Sequence, residues 1–246
     1  MIINFFKCLV YSFQGLKIVT RADVRRFVVI PLAINISLFS LAIYFLSSLF
    51  SQWMEALMPD FPSWLSWLED WINWMLWPLF ATMIFFIVFY TFTFVANLIA
   101  APFNSLLAQK VEAVLGNDTT DNIPTLPPWI TIKKSIGSEA GKLFYLLKWS
   151  IIIMLISLVP VLNIGAAFLW LIFGAWMLAL EYIDYPMSNH GHYFKEINRL
   201  ASAKKTMILG FGTGSFILTS TPVLNFLAMP ACVAGATALW VKQKEN

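Results

Sequence analysis

Three arginines lie close together in the stretch TRADVRRFVVIPL, where a long uncharged segment of the chain begins: Arg21, Arg25 and Arg26. The guanidinium group presents a planar fork of N–H donors that matches the oxygens of a tetrahedral oxyanion. Thr20 or Asp23 is positioned to cap a helix that starts here, and a helix start offers unpaired backbone N–H groups to an anion. These residues predict an oxyanion site. The alternative is that the arginines only anchor a membrane helix, and the Asp23 carboxylate, which competes for the same donors, favours it.

The composition places these arginines in an integral membrane protein. The 246-residue chain is 59% hydrophobic and only 12% charged, whereas a soluble domain is roughly 25% charged. A helix needs about 20 apolar residues to cross roughly 30 Å of hydrocarbon. Four stretches without Asp, Glu, Lys or Arg reach that length: residues 27–54, 71–109, 149–180 and 206–241.

The charges between these stretches predict an orientation. Residues 1–26 carry five basic side chains and one acidic one, whereas residues 52–70 carry four acidic side chains and no basic one. Lysines or arginines also follow each of the other stretches. Because basic loops stay on the cytoplasmic side, we expect both termini and every connection except residues 52–70 to be cytoplasmic.

The third and fourth stretches therefore begin and end on the same side, which predicts a hairpin in each. The tetrapeptide Pro-Val-Leu-Asn lies in the middle of both, at Pro160–Asn163 and Pro222–Asn225, and proline followed by asparagine favours a break in a helix. The hairpin arms reach only about 16 to 25 Å as helix. We therefore predict half-penetrating hairpins, with Pro160, Asn163, Pro222 and Asn225 at tips that line a pore or pack in protein. Four short tilted spans are the alternative.

The sequence thus predicts an all-α membrane protein of one domain, with two long transmembrane helices, two half-penetrating hairpins and amphipathic interfacial helices. Trp64, Trp67, Trp71 and Trp74 share one helix face and predict an interfacial helix on the outer side. The predicted segments are a cytoplasmic-side amphipathic helix (1–26), a first span (27–54), the outer interfacial helix (55–76), a second span (77–109), a cytoplasmic segment (110–148), hairpin one (149–180), a cytoplasmic segment (181–205) and hairpin two (206–241).

No other motif predicts catalysis or a cofactor. His190 and His192 form a weak metal signal without a third ligand nearby. Gly210–Ser215, GFGTGS, lacks the Gly-Lys-Ser/Thr ending of a phosphate-binding loop and is typical of close helix packing. Asp184 follows a long apolar stretch. It is interpreted either as a hydrogen-bonded acid at a helix end or as a functional group. We expect no catalytic residues, no metal, no cofactor and no nucleic-acid partner.

Several longer stretches carry a resemblance to a known family: RRFVVIPL, the tryptophan-rich segment ending in WMLWPL, NLIAAPFNSLLAQKVE, FGAWMLALEYIDYPMSNHG and GATALWV. With these stretches, the chain resembles the CysZ-type sulfate permeases of bacterial inner membranes. The resemblance implies two long transmembrane helices and two half-penetrating hairpins in a homo-oligomer surrounded by membrane lipids. It also implies sulfate uptake for cysteine biosynthesis.

The resemblance further implies which residues bind sulfate. The arginine pair of the family falls on Arg25 and Arg26, and its adjoining backbone amides fall on Asp23 and Val24. Relatives often have Pro-Gly where this chain has Ala22 and Asp23, which makes the amide part of the site less certain than the arginine part.

A mechanism must also move a dianion into a cytoplasm that is electrically negative. At a membrane potential of 100 mV, the electrical work that opposes this entry is about 4.6 kcal/mol. The apolar stretches contain no ionisable Asp, Glu or His at mid-depth, which favours channel-like or facilitated passage. Proton-coupled uptake would use Glu181 or Asp184 at the membrane edge. A non-transporting scaffold or anion-sensing regulator, recruiting partners through residues 110–148, is the alternative function.

Overall fold

The computed structural model describes residues 2–57, 66–116 and 128–244, and these residues form helices and no β-strand. The predicted all-α class is therefore confirmed for the described part of the chain. The helices, in chain order, are α1 (Ile2–Val19), α2 (Ala22–Leu57), α3 (Ser66–Val114), α4 (Pro128–Ser157), α5 (Asn163–Asn189), α6 (Phe194–Ala203), α7 (Lys205–Ser220) and α8 (Pro222–Lys244).

Four of the described helices contain a segment long and apolar enough to cross a membrane. These segments are Ala22–Leu49, Lys133–Ser157, Asn163–Asn189 and Pro222–Lys244. Together with the composition, they establish a multi-pass membrane protein. α3 runs without a break through both predicted ends of the second span, at residues 77 and 109. Of the predicted interfacial tryptophans, Trp64 lies outside the described residues. The positions of Trp71 and Trp74 relative to the membrane stay a prediction.

The chain divides into two compact units, residues 29–103 and residues 1–28 with 104–246. The smaller unit comprises most of α2 and the first part of α3. Its described large apolar side chains are largely exposed, Tyr44, Leu79 and Phe85 among them. Such outward-facing apolar surface is what helices surrounded by lipid present.

The larger unit is held together by close backbone packing around α1 and α7. α1 lies against α7 and α8, and α5 lies against α7. A Cβ atom on Gly210 would collide with the carbonyl of Phe5, and one on Gly212 would collide with the carbonyl of Ala175. Only glycine permits this approach of two helix backbones. The predicted packing role of Gly210–Ser215 is therefore confirmed.

Both Pro-Val-Leu-Asn repeats coincide with breaks between helices. α4 ends at Ser157 and α5 begins at Asn163, whereas α7 and α8 are separated by Thr221 alone. Val161 has a positive φ of 76°, which is rare for a β-branched residue and marks a tight reversal.

The helices of the first hairpin are longer than the charge-free stretch predicts. α4 has 30 residues and α5 has 27, which correspond to about 45 and 40 Å. α4 is longer than the predicted arm because it continues back through the lysine-bearing residues, where Lys142 pairs with acids on α5. The depth to which either hairpin enters the membrane stays a prediction.

Candidate oxyanion site

The start of α2 is fixed by two buried valines one helical turn apart. Val24 and Val28 belong to the hydrophobic core of the larger unit, together with residues of α1 and α3. Arg25 and Arg26, which lie between them in the sequence, are exposed. Arg21 immediately precedes the first residue of α2, so it lies within about one helical turn of Arg25. The valines therefore hold the arginines at a defined place on the surface of this unit.

These arginines are not neutralised by neighbouring acids. Among the described residues, Arg21, Arg25 and Arg26 form no ion pair, and neither does Asp23. The guanidinium carbon of Arg26 lies 5.0 Å from the centre of the Phe27 ring, a cation–π contact that leaves the N–H groups in the guanidinium plane accessible. The predicted competition from the Asp23 carboxylate is therefore not realised as an ion pair in the described part of the chain.

The backbone at this helix start is partly satisfied already. The Thr20 hydroxyl donates to the Lys17 carbonyl at 2.9 Å. Thr20 therefore hydrogen-bonds to the C-terminal turn of α1 and does not cap α2. The Val24 N–H donates to the Arg21 carbonyl at 3.0 Å, and the Arg25 N–H donates to the same oxygen at 2.9 Å. A contact between the Val24 amide and an anion would require that bond to be shared, whereas the Asp23 amide forms no hydrogen bond among the described residues.

A basic cavity of about 360 Å³ opens beside the arginine cluster. Its lining includes Lys17 from α1, Arg21 from the α1–α2 link and Lys242 from α8, and no acidic residue in the described part of the chain. Gln14 and Tyr11 add polar groups to the same wall. Three cations around one concave surface raise the local positive potential and attract anions. Sequence analysis missed this cavity because Lys17 and Lys242 come from opposite ends of the chain.

The predicted hairpin-tip residues lie elsewhere on the surface. Pro160, Asn163, Pro222 and Asn225 are all exposed, and none of them lines the basic cavity. The structure therefore brings Asp23, Val24, Arg25 and Arg26 together at one helix start, and it does not add the tip residues to that site. A pore-lining role for the tips stays a prediction.

The family of this chain follows from its similarity to known proteins. A family model described as "Sulfate transporter CysZ/Etoposide-induced protein 2.4" matches residues 11–230. The chain belongs to this family. The match includes the arginine cluster and both hairpin tips.

Curated relatives within the CysZ family cover almost the whole chain. The sulfate transporter CysZ of Pseudomonas fluorescens (strain Pf-5) is 47% identical over 238 residues, covering 95% of this chain and 93% of the relative. The sulfate transporter CysZ of Pseudomonas paraeruginosa is 40% identical over 235 residues, covering 95% and 94%. The sulfate transporter CysZ of Vibrio atlanticus is 38% identical over 234 residues, covering 95% and 91%.

The two histidines of this CysZ-family chain do not converge on one metal position. His190 Nε2 lies 2.8 Å from Glu112 Oε1, whereas His192 Nδ1 lies 2.9 Å from Glu196 Oε2. No group of three potential metal ligands occurs among the described residues. The hydrogen bond with His192 lowers the pKa of the Glu196 carboxyl below its ordinary value, because it stabilises the ionised form.

Two charge clusters in the larger unit were not found from the sequence. Glu112 is buried between His190 and Lys244, whose Nζ lies 3.5 Å from Glu112 Oε1. Lys142 Nζ lies 2.8 Å from Asp184 Oδ2 and 3.0 Å from Glu181 Oε2. Asp184 is therefore a hydrogen-bonded, ion-paired acid, the first of its two interpretations. No local pattern reveals these pairs because their members are at least 39 residues apart.

Proposed function

We propose that this protein takes up sulfate across the bacterial inner membrane, by channel-like or facilitated passage, and supplies sulfate assimilation and cysteine biosynthesis. The support is family membership along almost the whole chain together with an oxyanion site that fits the ligand. The protein acts as a homo-oligomer with both termini in the cytoplasm. The basic N-terminal segment and tail support this orientation.

Sulfate binds at the start of α2, between the guanidinium groups of Arg25 and Arg26 and the free N–H of Asp23. The observation that carries this assignment is that both arginines are exposed and unpaired among the described residues, on a helix start fixed by Val24 and Val28. Charge-assisted hydrogen bonds of this kind contribute about 1.5–3 kcal/mol each. Val24 contributes mainly by holding this helix start, because its own N–H already binds the Arg21 carbonyl.

The basic cavity supplies sulfate to this site. Arg21 lines the cavity and lies within about one helical turn of Arg25. Lys17 and Lys242, on the remaining cavity wall, raise the local concentration of a dianion next to the arginine pair. The cavity therefore acts as a collecting surface, and Arg25 with Arg26 acts as the binding site.

The exposed hairpin tips line the passage once subunits assemble around a common axis. Asn163 and Asn225 provide uncharged amide groups that replace water around sulfate without holding it. Pro160 lies in the turn after α4, and Pro222 is the first residue of α8. An uncharged lining fits a passage that releases its ion, because conduction requires binding weak enough to permit exit.

Labelled sulfate uptake into liposomes tests this function at set membrane potentials. We compare the wild-type protein with Arg25→Ala/Arg26→Ala and with Lys133→Ala/Lys195→Ala. The control removes the same charge from exposed positions outside the proposed site. We expect uptake that slows as the interior is made negative, that falls tenfold or more in the arginine variant, and that is unchanged in the control.

The other outcomes separate the two parts of the proposal. Uptake unchanged by the arginine variant would make Arg25 and Arg26 helix anchors and would leave transport to other groups. Uptake no greater than in empty liposomes would refute transport and favour a scaffold or anion-sensing regulator.

A further inference from the structure

A second, larger cavity lies between α4 and α5 and is closed at one end by α6 and α7. Its volume is about 630 Å³, and its walls are mainly apolar side chains of α4 and α5, with Ile152, Ile156 and Leu169 among them. α4 and α5 run antiparallel from the turn at residues 158–162. Tyr145 and Ile156 mark the two ends on α4, so the groove is about 16 Å long at 1.5 Å per residue.

The two ends of this groove differ in polarity. The end near the α4–α5 turn is lined by aliphatic side chains alone, whereas the opposite end carries Asn198 and Ser202 from α6 and Lys205 from the start of α7. No acidic residue among those that the structure describes lines the groove. A long apolar channel with one cationic, hydrogen-bonding end matches a molecule with an apolar chain and an anionic head.

The polar end also holds buried groups without a partner. The indole N–H of Trp176 and the Asn198 side-chain oxygen are buried, line the groove and form no hydrogen bond with any described residue. The Trp176 ring is near the Tyr145 hydroxyl but makes no hydrogen bond of good geometry with it. Buried polar groups are nearly always satisfied in folded proteins, so one donor and one acceptor here point to an external partner.

We propose that this groove binds one acyl chain and the head of an anionic phospholipid with a hydroxyl-bearing headgroup, such as phosphatidylglycerol. The phosphate lies at Lys205, an ester carbonyl accepts from the Trp176 N–H, and a headgroup hydroxyl donates to the Asn198 oxygen. α4 and α5 both contain candidate membrane spans, so lipid is the solvent at the groove. The charge of Lys205 and the absence of acids in the lining favour an anionic head over a zwitterionic one. This proposal is independent of the transported ion.

Native mass spectrometry of the full-length protein, purified in mild detergent, measures lipid binding directly. The probes are phosphatidylglycerol and phosphatidylcholine with the same acyl chains. Because one lysine near an anionic lipid is worth about a fivefold preference, we expect the wild-type protein to retain phosphatidylglycerol about fivefold more tightly. Lys205→Gln removes the preference, and its matched control, Lys195→Gln, keeps it.

A second pair of variants tests the acyl-chain part of the groove. Ile152→Trp fills the groove and weakens the binding of both lipids, whereas Ile151→Trp, outside the lining on the same helix, leaves binding unchanged. Equal retention of the two lipids, or an equal effect of Lys205→Gln and Lys195→Gln, would overturn the proposal. Loss of the homo-oligomer in Ile152→Trp with lipid binding intact would also overturn the proposal, because that result would place a second copy of the chain in the groove.

Discussion

Replacing His190 by alanine should destabilise the protein strongly, because it leaves a buried glutamate without its closest partner. His190 Nε2 lies 2.8 and 2.9 Å from the two carboxylate oxygens of Glu112. Their side chains are only 9% and 2% exposed. In His190→Ala, Glu112 keeps only the more distant Lys244 ammonium group, 3.5 Å away.

The expected cost follows from the burial of this pair. Removing the partner of a buried carboxylate typically costs about 3–5 kcal/mol, since the remaining charge is left uncompensated. Because Lys244 retains part of the compensation, we expect a value at the lower end of this range. At about 2–4 °C per kcal/mol for a protein of this size, the melting temperature falls by roughly 6–12 °C.

His192 provides a matched control two residues away. It also pairs with a glutamate, but the side chains of His192 and Glu196 are 28% and 43% exposed. A surface pair contributes about 0–1 kcal/mol, so His192→Ala should lower the melting temperature by less than about 4 °C. Since the pKa of Glu196 is lowered in the fold, this contribution is present above the ordinary glutamate pKa. It disappears as the pH falls through the lowered value, so wild type and His192→Ala converge in acid.

Thermal unfolding in detergent, followed by circular dichroism, measures both variants. The double variant His190→Ala/Glu112→Gln should be less destabilised than the sum of the single changes, because no buried charge is left unpaired. A shift for His190→Ala no larger than that for His192→Ala would refute the reasoning. Strict additivity in the double variant would show that the two side chains do not interact.

Two further predictions concern helix packing and hairpin depth. Gly212→Ala places a methyl group against the Ala175 carbonyl and should lower the free energy of unfolding by about 1–3 kcal/mol. The control Gly137→Ala, with open space around it, should be neutral or slightly stabilising in the same thermal unfolding experiment. Equal effects would contradict the close packing of α5 on α7. Cysteines introduced at the exposed tips as Val161→Cys and Val223→Cys should stay unmodified by impermeant maleimide added outside sealed right-side-out vesicles, with both native cysteines buried. Rapid labelling from outside would mean that the hairpins cross the whole membrane.

The sequence by itself determined the features of this protein that depend on composition and local order. Apolar stretches of spanning length require a membrane. Proline removes an N–H donor, but Pro31, Pro186 and Pro230 lie inside helices, so the combination of proline with asparagine in mid-stretch is what favours a turn. The Pro-Val-Leu-Asn repeats therefore predicted both reversals, at residues 158–162 and at Thr221. The adjacent Arg25 and Arg26 predicted an oxyanion site before any fold was known, because their chemistry and position at a helix start are local properties, and that site stays a prediction.

Only the tertiary structure decided which distant charges meet. The basic cavity needs Lys17 and Lys242 side by side, and the buried pair needs Glu112 beside His190. α4 extends into lysine-bearing sequence because Lys142 pairs with Asp184 on α5. A charge that marks the end of an apolar stretch in the sequence is therefore neutralised inside the fold. Pairing energy depends on distance in space, and the order of residues along the chain does not encode that distance.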